Sequence, residues 1–275
     1  MRVLVTGAGG TIGQVVARRL RRSGWDVLAH DRADSPDIDV TGDLRDPEHV
    51  EDVVKGTDVV VHTAAVPNPV DGTESEIFAN NTLSAYHVVD TAGRLGITRI
   101  VNVSSASALG FAWSHHGVSP TCVPVSEGHP YVGDDVYALS KKTAELTAAT
   151  AARRWRTTIV SLRFPFVGSG ERLRRHLGPI HADPGIDRSG LWAWLHTDDA
   201  AGAVEAAITA QLSGHQVITV TAPDTTALVP TAELLQTYHP TTRIDRSPTG
   251  FGTVFAADRC IALLHFVPEH SWRTS

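Results

Sequence analysis

Residues 6–13 read Thr6-Gly7-Ala8-Gly9-Gly10-Thr11-Ile12-Gly13, directly after the apolar run Val3-Leu4-Val5 and at the start of the helical pattern Ile12–Arg22. Glycines at 7, 10 and 13 meet three needs of a strand-to-helix turn that holds a dinucleotide. The turn must be tight, the backbone must approach a pyrophosphate closely, and the helix must pack on the strand. Free N–H groups and the positive end of the helix dipole then hold the phosphates. Such spacing alone is common at strand ends. Its context here is a strand before, a helix after, and an acid, Asp31, ending the second strand. A carboxylate at that point accepts hydrogen bonds from the adenosine ribose and repels a 2′-phosphate, which favours NAD. Arg32 beside it keeps NADP open, because a guanidinium pairs with phosphate. The plainer alternative for Asp31 is an ordinary strand-end turn residue.

Outward from this turn, short apolar runs alternate with longer helical stretches as far as about residue 165. Strands are expected at Arg2–Val5, Trp25–Ala29, Asp58–His62, Ile100–Val103 and Thr158–Arg163. Helices are expected at Ile12–Arg22, Pro47–Lys55, Ile77–Leu95 and Asp135–Arg154. Asp46 is a good N-cap, with Pro47 at the first helical position. The alternation indicates βαβ units and a parallel sheet covered on both faces, whose strands read as unbroken apolar runs. After Phe166, Gly168, Gly170, Gly178, Pro179, Pro184, Gly185 and Gly190 read as loop. A helix at Asp198–Gln211, a strand at Gln216–Thr221, a helix at Thr231–His239 and a short helix at Ala257–Leu264 follow. Trp192 and Trp194 alternate with Leu191 and Leu195, as in a strand with its aromatics on one face. The expected fold is α/β, a Rossmann-type doubly wound parallel sheet over residues 1–166. Residues 167–275 add a small substrate-binding cap and elements that return to the core, in one integrated domain.

The chain has 275 residues, 42% hydrophobic and 20% charged, so disorder is excluded. Two cysteines, Cys122 and Cys260, make neither a disulfide framework nor a metal-thiolate site, and no metal is expected. A formal charge of −6 argues against nucleic acid or an anionic membrane as partner. No stretch reaches the roughly 20 apolar residues of a membrane helix, and no signal-peptide pattern precedes the first strand. A cytoplasmic protein acting on a small molecule is expected.

Tyr137-Ala138-Leu139-Ser140-Lys141 sets a phenol and an ammonium four residues apart, on one helix face. A tyrosine titrates near 10, and a nearby cation lowers that value toward the working range. Lysine is scarce, only Lys55, Lys141 and Lys142 against many arginines, so a compact ammonium at 141 is notable. Ser104 and Ser105 end a strand on the carboxyl edge, where open α/β sheets bind ligands, and a hydroxyl there can donate to an oxygen the tyrosine also touches. Read singly, each is open to a plainer account, a surface Tyr–Lys pair or strand-end turn serines.

Together these residues resemble the extended short-chain dehydrogenase/reductase superfamily, and within it the NAD-dependent epimerase/dehydratase family. The likeness runs through the glycine turn, Asp31, Gly42-Asp43-Leu44-Arg45-Asp46, Val61-His62-Thr63-Ala64-Ala65, Asn80-Asn81-Thr82 and Val103-Ser104-Ser105-Ala106. It continues through Tyr137–Lys141, Leu162-Arg163-Phe164-Pro165 and His196-Thr197-Asp198-Asp199-Ala200, in the family's order along nearly the whole chain. The resemblance implies that Ser105, Tyr137 and Lys141 are catalytic, with Tyr137 as general acid–base and Lys141 depressing its pKa while holding the nicotinamide ribose. Gly7, Gly10, Thr11, Ile12, Gly13, Asp31 and Arg32 would hold the adenosine and pyrophosphate. Asp43 and Leu44 would border the adenine, Ala64 and Ala65 the cleft, and Asn81 the nicotinamide-side phosphate or ribose. Val103, Phe164 and Phe166 would lie by the nicotinamide, and Ser107 would join Ser105 at the substrate. The long helices form a dimer face in many relatives, which suggests a homodimer.

The segment between Phe166 and His196 is shorter than in nucleotide-sugar members, so the chain looks like the compact uronate or aldose dehydrogenases of the superfamily. Arg172-Leu173-Arg174-Arg175-His176 lies in that segment. Arg172 and Arg175 either recognise a substrate carboxylate or phosphate or belong to a solvated basic helix surface. His115, His116 and the other histidines lack metal-ligand spacing and are expected to face solvent. The leading expectation is NAD(P)-dependent oxidation or reduction of a small sugar- or uronate-like substrate. The alternatives are a nucleotide-sugar epimerase or dehydratase with tightly held NAD, and a non-catalytic cofactor sensor on the same fold.

Overall fold

The computed structural model describes residues 1–274. In chain order the first half runs β1 (Arg2–Thr6), α1 (Gly13–Arg22), β2 (Asp26–Asp31), β3 (Val40–Thr41), α2 (Pro47–Val54), β4 (Val59–His62), α3 (Glu74–Arg94), β5 (Arg99–Ser105), β6 (Cys122–Val123), α4 (Val136–Trp155) and β7 (Thr158–Phe164). Then follow β8 (Phe166–Val167), α5 (Gly170–Ala182), β9 (Trp194–Leu195), α6 (Thr197–Thr209), β10 (His215–Thr219), α7 (Thr231–Tyr238) and β11 (Arg243–Ile244).

Seven strands form one sheet in the order β10-β7-β5-β4-β1-β2-β3, and every pair is parallel. Alternate residues of these strands feed two cores, which is why both faces read apolar. Val3, Val5, Val59, Val61, Val101, Val103, Val160 and Leu162 pack under α1 and α6 with Val16, Leu20, Ala200 and Val204. Leu4, Val60, Ile100 and Ile159 pack under α2, α3 and α4 with Val50, Val54, Val88, Val89 and Ala148. Strand order reverses at β1, which lies between β4 and β2. The crevice at the carboxyl ends of β1 and β4 is the topological switch point, where open α/β sheets take their ligands.

Local signals explain the boundaries. The Asp46 side chain accepts the Glu48 N–H at 3.0 Å and Pro47 opens α2. Helix α3 starts at Glu74, ahead of the expected Ile77, because Thr73 and Glu76 make a reciprocal capping box.

The segment after Phe166 departs from expectation. Residues 170–182 form a helix, not a loop, with Leu173, Leu177 and Ile180 buried along one stripe. Pro179 sits in the last turn, where its missing N–H leaves one helix bond unmade. Leu191 and Trp192 are not in a strand. Both have left-handed backbone (φ 56° and 54°), and only Trp194–Leu195 pair, with Phe166–Val167. The twist sends Leu191, Trp192, Trp194 and Leu195 into four different apolar clusters, so all four are core residues without a common face. The expected helix at Ala257–Leu264 is reduced to a single turn at Cys260–Leu264.

Candidate active site

The glycine turn divides its labour. Gly7 has φ 71°, and a Cβ there would stand 2.6 Å from the Ala64 nitrogen. A Cβ on Gly13 would fall 2.1 Å from the Gly7 carbonyl oxygen, so this glycine lets α1 close on β1. Gly10 meets only the Gly7 carbonyl within 4 Å. Its space opens into a cleft of about 420 Å³ at the switch point.

Of the expected cofactor residues, Gly7, Gly10, Asp31, Arg32, Asp43, Leu44, Ala64 and Ala65 line this cleft together. Asp31 is fixed by its own turn: Oδ2 accepts the Gly9 N–H at 2.9 Å, and Oδ1 accepts from Arg32 and Ala33 at 2.7 and 3.2 Å. Asp43 is held down to about 2 by the hydrogen-bonded Arg45 guanidinium, so it stays charged. Thr11 and Ile12 are half-buried at the turn, with Ile12 packed on the core. Asn81 is not free for a ligand through its carbonyl: Oδ1 accepts the Val66 N–H at 2.8 Å, and Nδ2 donates to the Val66 carbonyl and to Ser140 Oγ, both at 3.1 Å. Its neighbour Asn80 lines the cleft instead, as do Gly9, His30, Thr63, Val66 and Ser84, which the sequence reading passed over.

Several histidines overturn the expectation of solvent exposure. His30, His62, His129 and His239 are buried, whereas His115 and His116 are exposed. His30 Nε2 lies 2.8 Å from His49 Nε2, and His62 Nδ1 lies 2.8 Å from Thr6 Oγ1. Both strands bury both faces, so a side chain at either position enters the interior. Burial lowers His30 to about 4 and His62 to about 3, and neighbouring His49 and Lys141 add to the effect.

Beside the cleft, alternation along β5 turns Ser104 and Ser105 to opposite sides. Ser104 Oγ donates to Glu145 Oε1 at 2.8 Å in the interior. Ser105 faces the Tyr137 phenol, near enough to favour its charged form, and its Oγ accepts the Ser107 N–H at 3.1 Å. Tyr137 lies in the first turn of α4, which Asp135 caps by accepting the Ala138 N–H at 2.8 Å. Lys141, one turn on, is 8% exposed and donates from Nζ to the Val103 carbonyl at 3.2 Å. Ser105, Tyr137, Lys141 and Val103 therefore meet, as the sequence suggested.

The electrostatics differ from expectation. Burial pushes the Tyr137 phenol up to about 12 despite the facing Ser105 hydroxyl. Lys141 Nζ faces the ring, 5.8 Å from its centroid, and is engaged by the Val103 carbonyl. Burial also lowers Lys141 to about 8, opposed by the Glu145 charge.

Phe164 is buried opposite Ser105 in the β5–β7 register. Phe166 stacks on His176 with centroids 3.6 Å apart, and the Arg172 guanidinium lies 5.0 Å from the ring while Nε donates to the Val167 carbonyl. Arg175 is exposed and 3.8 Å from Glu171.

The model of the "NAD dependent epimerase/dehydratase family" matches residues 3–220. This chain belongs to that family. It is 27% identical over 225 residues to a uronate dehydrogenase of Pseudomonas syringae pv. tomato, covering 79% of this chain and 73% of that one. It is 26% identical over 217 residues to an L-arabinose 1-dehydrogenase (NAD(P)(+)) of Haloferax volcanii, covering 77% and 84%. Among solved structures, MoeE5 in complex with UDP-glucuronic acid and NAD shares the fold at a TM-score of 0.76 and 24% identity, over 99% of this chain and 95% of that one. As a family member the chain is an NAD-dependent enzyme of the dehydrogenase and epimerase kind.

One more cluster joins the 196–200 segment to the C-terminal tail. His196, Asp198 and His270 bring ligand-type atoms within 4.8 Å of one another. The two imidazoles stack 4.0 Å apart and nearly parallel, so their in-plane lone pairs run side by side and do not converge. His196 Nδ1 accepts the Asp198 N–H at 3.2 Å, and His270 Nδ1 lies 2.8 Å from Asp199 Oδ1. The cluster caps α6 and ties down the tail; it lacks the convergent geometry a metal needs. Among the described residues no helix is long and apolar enough to cross a membrane.

Proposed function

We propose that this enzyme oxidises a hydroxyl-bearing carbon of a free sugar or sugar acid to the carbonyl. Tyr137 is the proton acceptor, Ser105 the donor to the reacting oxygen and Lys141 the supporting cation. The observation that carries this reading is the Ser105 hydroxyl facing the buried Tyr137 phenol, with Lys141 one turn away and its Nζ over the ring, at the carboxyl edge of the sheet.

The cleft suits NAD. Gly10 leaves room for a phosphate, and Asp31 offers a turn-anchored carboxylate to ribose hydroxyls. When bound, NAD supplies the acceptor for the hydride. Tyr137 Oη, in its phenolate form, takes the hydroxyl proton and becomes the phenol as the C–H bond of the same carbon breaks, and Ser105 Oγ donates to the oxygen that becomes the carbonyl. In reduction the phenol returns that proton. Lys141 holds positive charge within reach of the ring and, moved from the Val103 carbonyl toward a ribose, would favour the phenolate.

Residues 167–275 act, in this reading, as a cap plus elements that return to the sheet. Arg172 and Arg175 on α5 offer guanidinium groups to a substrate carboxylate. The uronate and arabinose dehydrogenase relatives support a free sugar or sugar acid as substrate. A second reading, turnover of a nucleotide sugar, is favoured by MoeE5, of which this chain spans 95%. A short cap therefore does not by itself exclude a nucleotide diphosphate.

The deciding experiment offers purified protein NAD with free uronates and aldoses in one arm and UDP-sugars in the other. Net NADH from a free sugar or uronate supports oxidation. Conversion of a UDP-sugar without net NADH refutes it.

We further infer a homodimer through α3 and α4, where Leu83, Tyr86, Leu139 and Leu146 are exposed. A monomer in sedimentation at micromolar protein contradicts this.

A further inference from the structure

Glu145 takes no part in the chemistry above, yet it lies where the elements carrying that chemistry meet. It is 3% exposed and one helical turn beyond Lys141. Arg163 on β7, 1% exposed, donates to both its oxygens at 2.7 Å. Ser104, the neighbour of Ser105, donates to Oε1 at 2.8 Å. A further Arg163 nitrogen donates to the Glu127 carbonyl at 3.2 Å, and Glu127 Oε1 accepts the Thr219 N–H at 2.8 Å. One buried carboxylate thus joins β5, α4 and β7, with β10 linked through Glu127.

Stability alone does not explain such a pair. Desolvation of two buried charges offsets much of their attraction, and well-packed apolar replacements are often neutral or stabilising. What an apolar pair cannot supply is a fixed negative charge one turn from Lys141.

We propose that Glu145 is a positioning residue for hydride transfer. With Arg163 and Ser104 it fixes β5 against α4, so that Ser105 meets Tyr137, and its charge keeps buried Lys141 an ammonium. The inference rests on the Ser105–Tyr137–Lys141 reading.

The groups facing this network come from every neighbouring element. Tyr137 and Lys142 share the helix, with Lys142 Nζ 3.8 Å from Glu145. His62 on β4 senses the Lys141 charge, and His215 on β10 senses Glu145 and Arg163. Burial holds both imidazoles neutral near pH 7, His62 at about 3 and His215 at about 4. The charge that acts on Lys141 across the working range is therefore that of Glu145.

Two variants separate charge from shape. Glu145→Gln with Arg163→Met removes both charges at similar volume, and Glu145→Asp keeps the charge but shortens its reach. Circular dichroism, thermal midpoint and NAD binding report folding; kcat/KM for NADH formation against pH reports the site. In the double variant the alkaline limb should move about one pH unit toward acid, because the Glu145 charge acts on Lys141 whereas that of Arg163 does not register there, so the ammonium loses its proton sooner. A purely structural role would lower activity at every pH and leave the limb in place, and a folded double variant behaving so overturns the proposal. In Glu145→Asp the limb should stay while kcat falls several-fold with KM for NAD unchanged, since the shorter side chain cannot reach both Arg163 and Ser104. Wild-type kcat in Glu145→Asp also overturns it, even if the double variant does not fold. Tyr137→Phe keeps the two ideas apart. Retained activity there refutes the underlying site, whereas an inactive Tyr137→Phe with an unmoved limb in the double variant refutes only the role of Glu145.

Discussion

Replacing Asp31 with alanine should weaken NAD binding and invert the preference between the two dinucleotides. The carboxylate stands at the cleft edge with three backbone N–H groups fixing its direction, so little ordering is needed when ribose hydroxyls donate to it. A hydrogen bond to a charged group is worth about 1.5–3 kcal/mol net. At about 1.4 kcal/mol per decade, its loss raises the NAD Kd roughly 10- to 150-fold. For NADP the balance differs. A single negative charge facing a doubly charged 2′-phosphate at ~5 Å costs roughly 1.5 kcal/mol even in a water-like medium, and alanine removes that cost. Arg32, exposed beside the cleft, then becomes a partner for the phosphate. The ratio of NAD to NADP affinity should therefore fall by more than the NAD loss alone. Calorimetric titration with both dinucleotides at fixed salt measures it. Asp31→Asn separates charge from geometry, because the amide oxygen can still accept the Gly9 N–H. An unchanged affinity ratio in Asp31→Ala, or a wild-type protein that prefers NADP, would refute the reasoning.

Two other outcomes follow from the site. Ser105→Ala should lower kcat/KM by about 10²-fold while NAD affinity is retained, and a variant with wild-type kcat/KM would show that the hydroxyl does not touch the reacting oxygen. Stability should fall on the acid side: His30, His62, His176 and His215 all titrate in the fold well below the ordinary histidine value, at about 4 or about 3, because burial disfavours their charged forms. The unfolded chain binds more protons than the fold once the pH drops below about 6.5, so their contribution to stability is present above that pH and lost as the pH falls toward 4. Chemical denaturation from pH 7 to 4 measures the slope, and a flat profile contradicts the burial of these imidazoles in solution.

The parallel sheet was legible because its signals are local and redundant. Val59–Val61 is apolar on both faces, Asp46-Pro47 announces a helix start, and the glycines at 7, 10 and 13 stand between a strand and a helix. The two serines part company in the structure, since alternation along β5 sends Ser104 to Glu145 and Ser105 toward Tyr137. Helix α5 was hidden by Gly178 and Pro179. Its signal was the spacing Leu173, Leu177 and Ile180, which outweighs two weak helix formers when a buried face is on offer. Left-handed backbone at Leu191 and Trp192 has no local signature, because it is imposed by the clusters that claim each side chain. The burial of His30 and His62 had a signal in their strands, where a polar residue inside an apolar run must enter the interior with a partner. The Tyr137 electrostatics lay beyond spacing rules. Four residues fix which helix face carries Lys141, but not whether its ammonium reaches the phenol oxygen or a backbone carbonyl.

In the proposed reaction a proton passes through the Tyr137 hydroxyl. Tyr137→Phe deletes that oxygen and keeps the ring in its 6%-exposed site. With NAD and the best free sugar or uronate substrate, kcat should fall by roughly 10²- to 10⁴-fold, while NAD affinity and thermal midpoint stay close to those of the parent protein. NADH formation at the parent rate in a folded, NAD-binding Tyr137→Phe protein would contradict it.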